Sequence, residues 1–450
     1  MSSTHNKKSV DVQAFIDRHP MSGFQWRILI LCFLVATLDG LDTAIGGFIA
    51  PVLREEWALT TAQLNPLLGA VLLGLMLGAF AAGPLADRFG RKMVLLVSVL
   101  FFSGWSLASA TAGDVQTLTV LRFLTGLGLG GAMPNAITLV SEYCPVRRRS
   151  LMVTLMFCGF TLGSALSGVL VAHLLPLVGW RAVLMLGGLL PLLFLPMLMA
   201  WLPESVRFLI ARRMVPDRVT DILRRIAPLP ANVQLEVPPQ AKDSPVREIL
   251  QGHLKYGTLL LWGTFFTGFM IIYLLTNWLP TLIRETGQAM SDAALAGAMF
   301  QVGGTLGAII LGATMDRIDA WKVLTTAYIG GTLTLLAISQ FYQHFSVLLA
   351  CVAAMGFCIS GSQVGANALA ANFYPTTSRA TGVAWCHGVG RIGSIAGTLA
   401  GGTLLSAGIG LNGIFLWLMV PALLAATAVF LMGRRYRALP KIKGEYGAIV

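Results

Sequence analysis

The chain has 450 residues, of which 56% are hydrophobic and 12% are charged, about half the charged fraction of an ordinary soluble domain. A formal net charge of +12 would suit a nucleic-acid-binding protein, but the basic residues are distributed between long apolar stretches. The first 25 residues contain no apolar core, which excludes a secretory signal peptide. Composition therefore excludes an ordinary soluble domain and predicts an all-α membrane protein.

Apolar runs of about 20 residues, enough to cross a bilayer, predict twelve transmembrane helices in chain order. The first six are predicted at 26–51, 64–84, 93–112, 116–140, 151–174 and 182–202. The last six are predicted at 256–280, 292–313, 323–342, 346–370, 381–404 and 411–432. The predicted domains are thus an N-terminal tail (1–25), a six-helix bundle (26–202), a linker (203–255), a second six-helix bundle (256–432) and a C-terminal tail (433–450).

The loops between these predicted helices differ in their content of Lys and Arg. With both termini inside, the outer loops contain only Arg54, Arg181 and Arg284, and nearly all other basic residues are cytoplasmic. Short loops rich in Lys and Arg stay in the cytoplasm. The positive balance is therefore a signal of topology, and both tails and the linker are predicted to be cytoplasmic.

Two short patterns recur at nearly one displacement. Gly83-Pro-Leu-Ala-Asp87-Arg88 recurs as Gly312-Ala-Thr-Met-Asp316-Arg317, 229 positions later. Tyr143-Cys-Pro-Val-Arg-Arg-Arg recurs as Phe373-Tyr-Pro-Thr-Thr-Ser-Arg, 230 positions later. Both matches join equivalent predicted helices, so they indicate a duplicated six-helix unit with a central cavity between its halves.

Glycine pairs spaced by four residues occur in several predicted helices, as in Gly74/Gly78, Gly159/Gly163 and Gly303/Gly307. The run Gly126-Leu-Gly-Leu-Gly-Gly131 loosely matches a dinucleotide-binding turn, but it lies inside an apolar span without a preceding strand. Small residues at this spacing are typical of close helix–helix contacts in lipid. We interpret these glycines as packing positions.

Several motifs resemble those of the major facilitator superfamily. They are Gly83-Pro-Leu-Ala-Asp-Arg-Phe-Gly-Arg-Lys92, Leu121-Arg-Phe-Leu-Thr-Gly126 and Pro203-Glu-Ser-Val-Arg207. Leu38-Asp39-Gly-Leu-Asp42 resembles the first-helix motif of the aromatic acid:H⁺ symporter family. Further matches to that family are Val10–Asp17, Gln25-Trp-Arg27, Arg379–Trp385 and Gly390-Arg391. Within the family the chain is most similar to the 4-hydroxybenzoate/protocatechuate transporters.

The resemblance implies a major facilitator fold of twelve helices in two pseudo-symmetric bundles. It also implies proton-coupled uptake, or symport, of small aromatic carboxylates by alternating access, serving the catabolism of aromatic compounds. The expected location is the bacterial inner membrane, with the lipid bilayer and H⁺ as partners. We expect a functional monomer that uses a proton gradient and no cofactor or metal, binds no nucleic acid and is not an enzyme.

Other functions share parts of this pattern. Benzoate, gentisate, hydroxyphenylpropionate, a sugar or a drug are alternative substrates on the same fold, and a membrane sensor of aromatic acids is a further alternative. The fifth predicted helix lacks the Gly-Pro pair typical of proton-coupled drug antiporters. Only residues 434–450 follow the twelfth helix, without a recognisable signalling domain. These two observations favour uptake over drug export and sensing.

Two carboxylates fall near the middle of the first predicted helix. Asp39 is about 20 Å along it at 1.5 Å per residue, and Asp42, three residues later, shares its face. Buried ionisable residues are costly and often functional, so we predict that Asp39 and Asp42 respond to protons. Arg122 in the fourth helix reaches the same level. The alternative is that these charges only fix helix packing, with Arg122 as the partner.

A single arginine, Arg391, is predicted near the middle of the eleventh helix. Its planar guanidinium matches a carboxylate in two hydrogen bonds, so Arg391 is the predicted anchor of the substrate, or else a structural partner of a carboxylate in the other half. Aromatic and polar residues nearby in the predicted arrangement are weaker candidates for substrate contact: Trp385, His387, Tyr273, Asn277 and Gln301. Trp278, near a helix end, suits a membrane-interface anchor.

The repeated cytoplasmic loops carry charges that can hold two halves together and release them during rocking. The predicted gating residues are Asp87, Arg88, Arg91, Glu142, Asp316 and Arg317. In the second half the trailing Gly-Arg-Lys of the loop motif is missing. The alternative for the loop charges is that they determine topology alone.

Overall fold

The computed structural model describes residues 9–211, 216–228, 234–236, 246–315, 317–374 and 378–437. Long helices make up both halves of this part of the chain. Those of the first half are α2 (Gly23–Glu56), α3 (Thr61–Phe89), α4 (Arg91–Ser109), α5 (Val115–Tyr143) and α6 (Arg149–Trp201). Those of the second half are α10 (Leu254–Glu285), α11 (Met290–Met315), α12 (Ala320–Phe341), α13 (Phe345–Met355), α14 (Gly361–Phe373), α15 (Arg379–Ser406) and α16 (Leu411–Arg437).

The helices account for twelve membrane crossings. Ten continuous helical stretches among the described residues are long and apolar enough to cross a membrane. One of them includes α6, whose 53 residues would extend for about 80 Å. It contains two crossings joined at a kink, where Gly179 has a φ of 75° that glycine adopts without strain. The α15 helix, 28 residues long and less apolar, is the remaining crossing.

The tenth crossing is continuous but not uniform. It consists of α13, a π-helical turn at Gly356–Ser360 and α14. A π-helical turn widens the helix by one residue and is frequent at functional sites. The twelve predicted helices are thus confirmed, whereas this local widening was not predicted from the sequence.

Helices within each half pack backbone against backbone at glycine. A Cβ atom at Gly78 would lie 2.1 Å from the carbonyl oxygen of Leu127, and one at Gly163 would lie 1.8 Å from that of Thr37. In the second half, a Cβ atom at Gly307 would lie 2.2 Å from the carbonyl oxygen of Phe357. The interpretation of the glycine pairs as packing positions is confirmed, because any side chain there would force the helices apart.

The N-terminal segment and the linker meet at the end of the first bundle where α5 gives way to α6. A strand, β1 (Ser9–Asp11), pairs in parallel with β2 (Gln234–Glu236). Helix α1 (Val12–Arg18) follows, and it buries Val12, Phe15 and Ile16. The linker also contains the short helices α7 (Val206–Ala211), α8 (Pro216–Arg224) and α9 (Val246–Ile249). The segment before the first crossing therefore packs onto the bundle through α1.

The two halves contact each other through α2 with α10, α3 with α15 and α6 with α11. At the end of the bundles away from the linker, Asn65 donates a hydrogen bond to the carbonyl oxygen of Leu399 at 3.0 Å. A Cβ atom at Gly47 of α2 would lie 2.3 Å from the carbonyl oxygen of Thr276 in α10. Such backbone contact joins the halves at this end of the molecule.

Candidate functional site

Asp42 and Arg122 form a buried ion pair inside the first half. Arg122 donates from Nη1 to Asp42 Oδ2 at 3.2 Å and from Nη2 to Oδ1 at 3.4 Å, with side-chain exposures of 2% and 0%. Ser106 of α4 donates to Asp42 Oδ1 at 2.5 Å. Arg122 Nη2 also donates to Ser106 Oγ at 2.9 Å. The carboxylate is therefore paired and hydrogen-bonded, so this cluster ties α2, α4 and α5 together.

Asp39 has a different environment, although it lies one turn away. Its side chain is buried and accepts a hydrogen bond from Thr43 Oγ1 at 3.1 Å. Among the described residues, no basic side chain lies within ion-pair distance of Asp39, but Arg391 of the second half lies within electrostatic range. The structure thus separates the two carboxylates: Asp42 is neutralised within its own half, and Asp39 interacts with the other half.

Arg391 lies near the middle of α15 beside aromatic residues of α10. Its Nη1 donates to the Tyr273 hydroxyl at 2.9 Å. Its guanidinium carbon is 5.8 Å from the centre of the Phe269 ring, and Phe269 stacks on Tyr273 with ring centres 5.9 Å apart. A cation held by a hydroxyl and flanked by flat apolar rings offers the features that an aromatic carboxylate needs.

His387 and Trp385, both predicted near Arg391, lie in different surroundings. His387, one turn away on α15, meets the edges of Phe265 and Phe269 at 5.4 and 6.1 Å between ring centres. Trp385 stacks on Trp262 instead, at 5.7 Å, and remains 43% exposed. Trp385 and Arg391 are six residues apart, so their side chains point in directions that differ by more than a quarter turn around the helix axis. His387 thus joins the aromatic cluster around Arg391, whereas Trp385 packs in a separate pair.

Asn277 and Gln301 are both buried and engaged in contacts between helices. Asn277 donates from Nδ2 to Thr398 Oγ1 of α15 at 2.9 Å, and Gln301 donates to Thr276 Oγ1 of α10 at 3.2 Å. Trp278 is fully buried and donates from Nε1 to the carbonyl oxygen of Thr398 at 2.8 Å. The prediction of Trp278 as an interface anchor is wrong, because its ring packs against Gly401 of α15.

The predicted gating residues of the first half form contacts within that half. Asp87 Oδ1 accepts from Arg91 Nη2 at 2.7 Å, although the Asp87 side chain is 73% exposed. Arg88 lies over the Phe89 ring. Glu142 accepts a hydrogen bond from the Ser205 hydroxyl. The first two contacts lie within the loop after α3, whereas the third joins the end of α5 to the start of the linker.

The predicted gating residues of the second half are Asp316 and Arg317. Arg317 is exposed at the end of α11. Asp316 lies outside the described residues. The structure accordingly does not bring the five described gating residues into one cluster.

At the end of the bundles away from the linker, two ion pairs that the sequence did not predict join the two halves. Arg54 pairs with Glu285, and Arg284 Nε donates to Glu55 Oε1 at 2.9 Å. The dipeptide Arg54-Glu55 ends α2 and recurs as Arg284-Glu285 at the end of α10, 230 positions later. This displacement is that of the internal repeat, so the repeat itself was the signal that could have identified the four residues.

Residues 32–339 and 281–447 match the sequence model of the Major Facilitator Superfamily. The chain belongs to this family. It is 49% identical over 431 residues to the 4-hydroxybenzoate transporter PcaK of Pseudomonas putida, covering 95% of this chain and 96% of that protein. It is 46% identical over 437 residues to the gallate transporter of Pseudomonas putida, covering 96% and 97%.

A solved structure supports the fold independently of the close relatives. The xylose transporter XylE from E. coli, in a partially occluded inward-open conformation, superposes with a TM-score of 0.72 at 19% identity. The match covers 94% of this chain and 100% of the XylE chain. This likeness shows that the chain has the major facilitator fold. The family match and the curated relatives make it a multi-pass membrane transporter, not an enzyme.

Proposed function

We propose that this chain takes up small aromatic hydroxycarboxylates, such as 4-hydroxybenzoate or protocatechuate, together with protons. The observation that carries the proposal is the position of Arg391, a membrane-embedded cation that meets Tyr273, Phe269 and the field of Asp39. The names of the relatives, transporters of 4-hydroxybenzoate and gallate, point to the same substrate class. Both compounds combine a carboxylate with a hydroxylated ring.

Recognition would proceed at the guanidinium of Arg391. A carboxylate accepts two parallel hydrogen bonds from an arginine fork, and the Tyr273 hydroxyl holds one nitrogen of that fork in place. The ring of the substrate would lie against Phe269 and the edge of His387. Because the surroundings are apolar, the unpaired charge of Arg391 is costly, and a carboxylate ligand removes that cost.

Proton coupling would act through Asp39. An ionised Asp39 stabilises the charge of Arg391 and so competes with the substrate carboxylate for it. Protonation of Asp39 removes this competition, and substrate binding and proton binding then favour each other reciprocally. Asp42 is already paired with Arg122, which leaves Asp39 as the carboxylate that exchanges a proton and the Asp42–Arg122 pair as its structural support.

Alternating access would follow from rocking of the N-terminal bundle (26–202) against the C-terminal bundle (256–432), joined by the linker (203–255). The ends of the two bundles away from the linker are in contact in this structure. We place the protein in the bacterial inner membrane with both tails cytoplasmic, because the outer loops are poor in Lys and Arg. A monomer contains both halves of the site, and the proton gradient supplies the energy without a cofactor.

Uptake of labelled 4-hydroxybenzoate into proteoliposomes tests the proposal. We expect accumulation that requires an inward proton gradient and is competed by protocatechuate. A wild-type protein that is folded but takes up neither compound under a gradient contradicts the substrate class. Equal uptake with and without the gradient, and with its direction reversed, contradicts proton coupling.

A further inference from the structure

Behind the Arg391 site lies a group of buried polar side chains without hydrogen-bond partners. Tyr328 of α12 is fully buried, and Gln363 of α14 is 5% exposed. Within the described part of the chain, neither the Tyr328 hydroxyl nor either amide atom of Gln363 has a hydrogen-bond partner. Buried polar groups are nearly always paired, so unpaired donors and acceptors at one place indicate a missing partner.

The two side chains meet at one point on α10. A Cβ atom at Gly268 would lie 2.1 Å from Gln363 Oε1 and 3.3 Å from the Tyr328 hydroxyl. Only glycine at position 268 leaves room for this approach. The two polar groups are thus directed at one spot from two helices, which distinguishes them from scattered unpaired atoms.

This spot adjoins the aromatic cluster of the Arg391 site. Gly268 directly precedes Phe269, whose ring lies under the Arg391 guanidinium. Successive residues of a helix point about 100° apart, so the polar pair and the guanidinium lie on adjacent faces of α10. Phe265, one turn before Phe269, meets His387 on the same side.

The helix that carries Gln363 is modified locally. The π-helical turn Gly356–Ser360 ends three residues before Gln363, and such turns re-aim the side chains that follow. One turn further along α14, Asn367 also has an unpaired, buried Oδ1. Gln363 and Asn367 are four residues apart and therefore share a helix face.

We propose that Gln363 and Tyr328 recognise the ring hydroxyl of the substrate whose carboxylate binds Arg391. A phenolic hydroxyl both donates and accepts, and the amide and the tyrosine hydroxyl supply the complementary acceptor and donor. The inference rests on the proposed function and deepens it. It makes the pair the determinant of preference for hydroxylated over unsubstituted aromatic acids, because benzoate would leave the buried groups unpaired.

Paired measurements of 4-hydroxybenzoate and benzoate uptake test this inference. We expect the wild type to prefer 4-hydroxybenzoate, and Gln363→Leu to lower that preference by on the order of tenfold or more, mainly through a higher KM for the hydroxylated acid. Tyr328→Phe, which removes one oxygen and little volume, should shift the preference in the same direction. Gln340→Leu, at an exposed position of α12, is the matched control and should leave it unchanged.

The outcomes separate the two proposals. Wild-type protein that transports neither acid contradicts the proposed function itself. A wild type that discriminates, with variants that retain the same ratio of kcat/KM for the two acids, overturns only the role of Gln363 and Tyr328 and assigns the unpaired groups to trapped water. If Gln363→Leu does not fold, the ratio of kcat/KM for the two acids in Tyr328→Phe is sufficient to test the inference.

Discussion

Arg54 and Arg284 occupy equivalent positions in the two repeats, and each pairs with the glutamate that follows the other. The pairs Arg54–Glu285 and Arg284–Glu55 connect the ends of α2 and α10 across the boundary between the halves. The internal repeat of the sequence thus produces a symmetric contact between the two halves. A partly exposed ion pair stabilises the contact by only about 0.2–1 kcal/mol. Such weak stabilisation suits a contact that must open during transport.

Removal of both outer glutamates is expected to favour outward opening. Glu55→Gln combined with Glu285→Gln abolishes both pairs, and the equilibrium should shift by about 1 kcal/mol, roughly fivefold. Distances between spin labels on the outer ends of the two halves measure this population. Glu56→Gln is the matched control, because Glu56 pairs with Arg181 of its own half. An equal shift in the control would mean that general charge loss, not the cross-half pairs, changes the populations.

Backbone contact at Gly47 should contribute more to closure than the ion pairs. A Cβ atom at Gly47 would lie 2.3 Å from the Thr276 carbonyl oxygen, whereas one at Gly46 would lie at an ordinary 3.7 Å from Leu68. We expect Gly47→Ala to separate the outer ends and slow transport, and Gly46→Ala to behave like wild type. Labelling of a cysteine placed in the outer vestibule should increase only for Gly47→Ala. Similar labelling of the two variants would show that the halves accommodate the methyl group.

The sequence predicts the number of crossings, the repeat and the small-residue packing, because each depends on local pattern. It also predicts a charged site at the level of Asp39, Asp42 and Arg391. It does not predict which carboxylate faces which arginine. The pairing of Asp42 with Arg122 and the proximity of Asp39 to Arg391 both depend on the rotation of the helices about their axes. The burial of Trp278 was not predicted for the same reason: hydropathy gives the depth of a side chain, not the direction in which it points.

Arg122 and Asp42 are expected to stabilise the fold as a pair. Removal of one partner leaves an uncompensated buried charge, which costs about 3–5 kcal/mol, so Arg122→Gln should unfold at a markedly lower temperature in detergent. Combining it with Asp42→Asn removes both charges and should recover much of the loss. Thermal unfolding of the two single variants and the double variant measures the coupling. Additive losses in the double variant would contradict the pair as a structural unit.

Substrate binding is expected to require the planar guanidinium of Arg391. Arg391→Lys keeps the charge but loses bidentate binding, and we expect KM for 4-hydroxybenzoate to rise by on the order of tenfold, a loss of about 1.4 kcal/mol. Tyr273→Phe removes the hydroxyl that holds Nη1 and should raise KM by a smaller factor. Trp385→Phe is the control, since Trp385 packs on Trp262. Wild-type affinity in Arg391→Lys would rule out recognition by the fork.

Asp39→Asn should separate binding from proton coupling. Asparagine resembles the protonated carboxyl in shape and charge, so Arg391 stays available to the substrate, and binding should persist without its dependence on pH. Proton-driven accumulation should disappear, while exchange of internal for external 4-hydroxybenzoate continues, because exchange requires no net proton movement. Flux measured in both modes in the same proteoliposomes distinguishes this result from misfolding, which abolishes both. Accumulation at the wild-type level in Asp39→Asn would show that another group couples transport to protons. His387, on the same helix face as Arg391, would be the next residue to test.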